Sequence, residues 1–304
     1  MLKIAPLLWA LTWLSSYGFA QHKLEVREAN AIFEVSLPGN ELRASDAEIS
    51  DYVQRGARAI VRYFGKFPVD HVNINIRAVP GNRVRFGRTM PANGGTIMML
   101  IGRDATRDAL NDDWTLTHEM THLAFPATKE DNTDWLGEGM ATYVEPIARA
   151  QAGYLTPEYV WKQFVDDIPR GEPAPGDGGL DGGHGIGRIY WGGALFCLVA
   201  DVEIRKATKN KKGLQDAFRY IMKDKGTMEY EWPIAMIFEE GDQATGTHVL
   251  QDLYAAWKDK PVQVDLPKLW RELGVEKKGN TVEFHDDAPQ AEVRKGIMSG
   301  ARQP

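Results

Sequence analysis

A single cysteine, Cys197, in 304 residues excludes an internal disulfide. It sits in the apolar run 194–200 and reads as an inert core residue. Basic residues are not in excess: 36 Lys and Arg stand against 42 Asp and Glu, a formal charge of −6. With no basic run either, nucleic acid is excluded as an expected partner. The chain has no internal repeat and no heptad pattern, which excludes solenoids and long coiled coils. The apolar stretch 4–14 is too short for a membrane span, so no stable membrane insertion is expected.

That same stretch follows Lys3 and precedes the small residues of Gly18-Phe19-Ala20. Together they predict a signal peptide over 1–20, removed before Gln21. An exported protein without disulfides suits the bacterial periplasm, so the expected location is periplasmic or secreted.

Against these absences stands His118-Glu119-Met120-Thr121-His122. On a helix turning about 100° per residue, His118 and His122 project from one face a single turn apart, so two imidazoles can converge on one metal ion. Glu119 lies on the flank of that face, where a carboxylate can take a proton from a water the metal activates. The pattern predicts a buried helix over 110–125, with Trp114, Leu116, Met120, Leu123 and Ala124 as its apolar mass. Asn111, Asp112 and Asp113 supply N-terminal caps, and Pro126 supplies the stop.

A catalytic zinc takes three protein ligands and leaves a fourth position open. Glu138, in the run Trp135-Leu136-Gly137-Glu138-Gly139-Met140-Ala141-Thr142-Tyr143-Val144-Glu145, is the candidate third ligand. Gly137 and Gly139 predict a close approach of this helix to the first. Glu145, two turns on from Glu138, is placed to accept the outer N–H of a ligating histidine.

These blocks resemble those of the gluzincin zinc metallopeptidases, and within them the membrane alanyl and glycyl aminopeptidase families. The resemblance implies Zn2+ held by His118, His122 and Glu138, with Glu119 as general base and then acid. Tyr190-Trp191-Gly192-Gly193-Ala194-Leu195 is similar to a third family block, Tyr-x-Lys-Gly-Ala-Leu, whose Tyr steadies the tetrahedral oxyanion. That role passes to Tyr190, whereas Gly192 stands where the family has Lys. The families also clamp the substrate amine with a Glu upstream of the first His, yet no Glu occurs between Glu48 and Glu119. The stretch 91–100 in that place reads as an edge strand, with Gly94 and Gly95 leaving room for an extended peptide substrate.

The expected architecture is α+β. A small mixed-sheet lobe over 21–110 has strands at 32–37, 71–79 and 96–101 and a helix at 46–64. A mainly helical part over 111–304 carries the zinc helices, then helices at 195–207, 214–223, 249–258 and 266–273. A thermolysin-like zinc cleft lies between the two, as the resemblance implies. The segment 166–187, rich in Asp, Pro and Gly, is expected to form a mobile flap, with Asp177 and Asp181 as a conceivable calcium pair. His22, His71, His184, His248 and His285 have no partner spacing and are expected at the surface. The function predicted is hydrolysis of peptide or protein substrates by metal-activated water. A catalytically silent zinc-containing peptide-binding or scaffold protein is the alternative, and another electrophile, such as an epoxide or non-peptide amide, stays open within hydrolysis.

Overall fold

The computed structural model of the chain describes residues 22–92, 94–224 and 226–299. The expected signal peptide lies outside the described residues. The chain opens with strands β1 (His22–Glu28) and β2 (Ala31–Leu37), then helix α1 (Asp46–Phe64). Strands β3 (His71–Val79), β4 (Val84–Met90) and β5 (Thr96–Gly102) complete one five-stranded sheet in the order β1-β2-β3-β5-β4. β2, β3 and β5 run parallel, while β1 and β4 pair antiparallel at the two edges.

Helix α1 shows why these residues choose their ends. Ser45 and Glu48 form a reciprocal capping box at its start, and Gly65 closes it in the left-handed conformation at φ 88°. Phe33, Val35, Ile74, Ile97, Met99 and Ile101 alternate along their strands and are fully buried. Each such side chain contributes about 1.5–3 kcal/mol by leaving water. Helices α1 and α3 pack on the sheet.

The mixed sheet is followed by a helical region, as the sequence predicts. After α2 (Arg107–Asn111) and α3 (Thr115–His122), the short strand β6 (Ala127–Thr128) leads into α4 (Asp134–Gln151) and α5 (Pro157–Asp167). A π-helical turn over Gly187–Gly192 runs into α6 (Gly193–Ala207). Then come α7 (Leu214–Lys223), β7 (Glu231–Trp232), α8 (Ile234–Thr245), α9 (Val249–Trp257) and α10 (Leu266–Leu273). A hairpin of β8 (Val275–Lys278) and β9 (Thr281–Phe284) precedes α11 (Ala291–Ser299). Among the described residues no helix is long and apolar enough to cross a membrane.

Four expectations need correction. The helix expected at 110–125 is two helices, because Asp113 caps α3: its Oδ2 accepts the Leu116 N–H at 3.1 Å and the Tyr52 hydroxyl. The strand at 96–101 is not an edge, since β5 pairs with β3 on one side and β4 on the other. The edge on that side of the sheet belongs to β4, whose mix of Arg, Gly and Thr masks its strand character. The close approach assigned to Gly139 is toward α6, where its added Cβ would lie 2.2 Å from Gly193 Cα, while Gly137 faces open space.

The fourth concerns 166–187, where α5 and a 3-10 turn (Ile168–Gly171) occupy the start and the middle is stapled down. Asp181 accepts the Trp135 indole N–H at 2.9 Å and the Tyr254 hydroxyl at 2.8 Å, and the Leu180 N–H bonds to Trp257 O. With both Asp181 oxygens engaged and Asp177 accepting the Ala174 N–H, the calcium pairing has no basis.

Candidate metal centre

Helix α3 presents His118 and His122 one turn apart, and α4 packs beside it and brings in Glu138. Glu138 Oε2 stands 3.1 Å from His118 Nε2 and 3.4 Å from His122 Nε2. Ligands about 2.0–2.2 Å from one tetrahedral ion lie roughly 3.3–3.6 Å apart, so Glu138 stands close to that spacing from both imidazoles, and all three ligand atoms lie within 4.8 Å of one another. Two neutral imidazoles and one carboxylate are also the donor set zinc favours. Burial pushes the His118 pKa down, toward the neutral form that ligates. Burial alone would raise Glu138, but hydrogen bonds from His118 and His122 outweigh it and hold the carboxyl well below its usual range.

Glu119 is buried, 7% exposed, on the flank of α3 facing β4. Thr89 Oγ1 lies 2.7 Å from Glu119 Oε2 and 2.8 Å from Glu119 O. Tyr190 comes from the π-helical turn, a local expansion that proteins use to aim side chains at functional sites. Its ring stacks on His118 at 5.9 Å between centroids and 10° between planes. Burial and the Glu138 carboxylate push the phenol pKa up, so Tyr190 keeps its proton and remains a donor.

Two cavities meet at this centre. One, about 530 Å³, is bounded by Phe86, Gly87, Thr89, Glu119, His122 and Tyr190. The other, about 450 Å³, lies beyond His118 between Trp114, Ile186, Tyr190 and Trp191, with Glu145 among its lining residues. Trp114, expected inside the helix core, is 51% exposed and sets its ring edge-on to His118 at 5.3 Å. It rims the cavity because its position precedes the first buried turn of α3.

The structure places Glu145 on Arg149 of the same helix, whose Nη1 donates to it at 2.9 Å and whose Nη2 donates to Asn111 O at 3.2 Å. Burial pushes the Glu145 pKa up to about 7 against the opposing pull of Arg149. Gly94 and Gly95 do not offer room for a substrate backbone. A Cβ on Gly94 would meet His71 O at 2.8 Å, one on Gly95 would meet Leu123 at 2.7 Å, and Gly95 O already accepts the Asn73 N–H. Their φ values of 84° and 144° make them turn glycines leading into β5. His22, His71, His248 and His285 lie beside acidic partners and His184 is exposed in its loop. Sequence reasoning missed Gly87 and Thr89; the alternation of Val84, Phe86 and Met90 is the faint signal that could have found their strand.

No protein-family model and no curated protein sequence matches this chain. Its fold is similar to part of that of solved M1 zinc metallopeptidases. An aminopeptidase N family protein from Idiomarina loihiensis superposes with a TM-score of 0.66 at 16% identity, over 84% of this chain and 49% of that one. An M1 zinc metallopeptidase from Deinococcus radiodurans gives 0.52 at 15% identity, over 81% and 53%. The chain therefore spans about half the length of the solved structures it matches.

Proposed function

We propose that this chain is an exported zinc metallopeptidase that hydrolyses peptide bonds. The observation that carries the reading is the convergence of the His118, His122 and Glu138 ligand atoms, all within 4.8 Å of one another, in a cleft that Glu119 and Tyr190 also line. An E323A mutant of the Deinococcus radiodurans enzyme was crystallised with a Tyr-Ser-Ala substrate, which supports a peptide as the class of ligand for this fold.

His118, His122 and Glu138 would hold the ion. Zn2+ bound there lowers the pKa of a water to about 7 and polarises a carbonyl. Glu119 takes the proton of the attacking water and passes it to the departing amine nitrogen, so that the carboxylate is restored at the end of the cycle. Tyr190, kept protonated by its surroundings, donates its O–H to the carbonyl oxygen as negative charge grows on it. The outer edge of β4 offers backbone groups along the cleft, against which an extended substrate lies as an added strand. Glu145 and Arg149 hold α4 against the segment that precedes α3, keeping the two ligand helices in register.

The test is a mixed peptide library, half of it N-terminally blocked, treated with the zinc-loaded protein and with Glu119→Gln and read by mass spectrometry. Cleavage by the wild type alone is expected. Cuts confined to free N-termini assign an aminopeptidase, and cuts in both halves an endopeptidase. Identical product maps for protein and variant would sink the reading in favour of a silent binder.

A further inference from the structure

Strand β4 meets α3 through two positions, Gly87 and Thr89, that share one face by the period of two of a strand. Both meet the Glu119 side chain. A Cβ built on Gly87 would lie 2.6 Å from Glu119 Cγ and 2.8 Å from Thr115 Cγ2, so only glycine leaves the volume that Glu119 occupies. Two residues on, the Thr89 hydroxyl sits 2.7 Å from Glu119 Oε2 and 2.8 Å from Glu119 O.

The second of those bonds has its origin in how α3 ends. The Leu123 N–H bonds to Met120 O, not back to Glu119, because the last turn tightens before Pro126. The Glu119 carbonyl is thereby left without its helical donor, and Thr89 stands in for it. The hydroxyl thus lies within bonding distance of both the backbone and the carboxylate oxygen of the same residue, with its one hydrogen shared between the two acceptors. It clips the Glu119 side chain to its own main chain and removes the torsional freedom a glutamate otherwise has.

We propose that Thr89, with the space left by Gly87, is the positioning element that aims the Glu119 carboxylate into the cleft before substrate arrives. The inference rests on Glu119 acting as general base in the proposed peptidase. Proton transfer in the reacting complex needs donor and acceptor within hydrogen-bond reach and aligned, so a carboxylate held in one orientation gains rate without tighter substrate binding. Oε2 is the held atom, and its partner Oε1 is the one free to face the reacting water. The Thr89 hydroxyl is directed at Glu119 and acts through it.

Three variants test this. Thr89→Val keeps the branched shape and removes the hydroxyl; Thr89→Ser keeps the hydroxyl and removes the methyl; Gly87→Ala fills the space beside Glu119 Cγ. Expected are a fall in kcat of about 10- to 100-fold for Thr89→Val at unchanged KM, the loss of a hydrogen bond to a charged group, and recovery of most of that loss in Thr89→Ser. Gly87→Ala should fall comparably, with zinc content by metal analysis equal to wild type in all three. In a Glu119→Gln background, Thr89→Val should add no further loss. A crystal structure of Thr89→Val should show the Glu119 carboxylate displaced, a readout independent of turnover. Wild-type kcat in Thr89→Val, equal losses in the Val and Ser variants, or an undisplaced carboxylate would overturn the proposal. Should wild type and Glu119→Gln prove equally inert on peptides, the peptidase reading fails, and the crystal structure still decides whether Thr89 holds Glu119.

Discussion

Among the described residues, two groups of histidine and carboxylate bring their ligand atoms within 4.8 Å of one another: His118, His122 and Glu138 on α3 and α4, and Glu276, Glu283 and His285 on and just after the β8–β9 hairpin. By distance alone they are equivalent. Their surroundings are not. The helical group has side chains only 4%, 13% and 29% exposed, whereas His285 and Glu276 are 44% and 48% exposed. Glu276 is also already engaged by Lys278 Nζ at 2.5 Å, whose hydrogen bond, with that from His285, pulls its pKa down. In the helical group no lysine or arginine competes for Glu138 among the described bonds, so its charge is available to a cation. The lesson is that proximity makes a cluster, and burial together with an uncommitted carboxylate makes a metal centre.

The largest expected effect breaks the first cluster. His118→Ala or His122→Ala should weaken zinc binding by more than about 100-fold, measured by competition with a chelating dye, since removing a ligand exceeds the effect of removing its supporting partners. His285→Ala should leave zinc content and affinity unchanged; a drop there would erase the distinction. Next in size, Glu119→Gln should lower kcat by about 100- to 10,000-fold with full zinc content, read by turnover of a peptide from the library. Tyr190→Phe removes one donor to the developing oxyanion and should cost about 100- to 1,000-fold in kcat at similar KM.

The smallest effect sharpens the comparison by pH. Glu145 is a buried acid whose pKa rises from 4.5 to about 7 on folding. Below about pH 4.5 it is protonated folded or unfolded, and its contribution is constant. Between 4.5 and about 7 the unfolded chain releases a proton that the folded chain keeps, so stability falls as pH rises, by roughly 3 kcal/mol at most. Thermal unfolding of the metal-free protein from about pH 5 to 8 should therefore slope downward more steeply than that of Glu145→Gln. Parallel slopes would show that Arg149 keeps Glu145 ionised throughout.

How much could be read in advance follows the range of the forces involved. Strand β3, helices α1, α7 and α10, and nearly all of α6 and α9 are legible because each carries its own apolar period and its own end signals, as Ser45, Glu48 and Gly65 do for α1. The candidate metal ligands are legible because their spacing is a statement about one helix turn and one short block. β4 is not, since Arg85, Gly87, Arg88 and Thr89 are poor strand formers that the pairing with β5 holds in place. Nor is the edge of the sheet: β5 looked open in sequence and lies inside, because strand order is set by long-range pairing that no local pattern records.

From its sequence alone this chain determines an α+β fold, a helix bearing two histidines and a glutamate, and a second carboxylate, the candidate third ligand, on a later helix. Local period, capping chemistry and ligand spacing are properties of neighbouring residues, and they survive without the rest of the molecule. Tertiary structure alone decides that Glu138 reaches both imidazoles, that Tyr190 is stacked over His118, that Asp181 staples a loop, and that Thr89, thirty residues before Glu119, is its hydrogen-bond partner. These are contacts between segments far apart in the chain, and only the burial of a shared core brings their polar atoms to bonding distance.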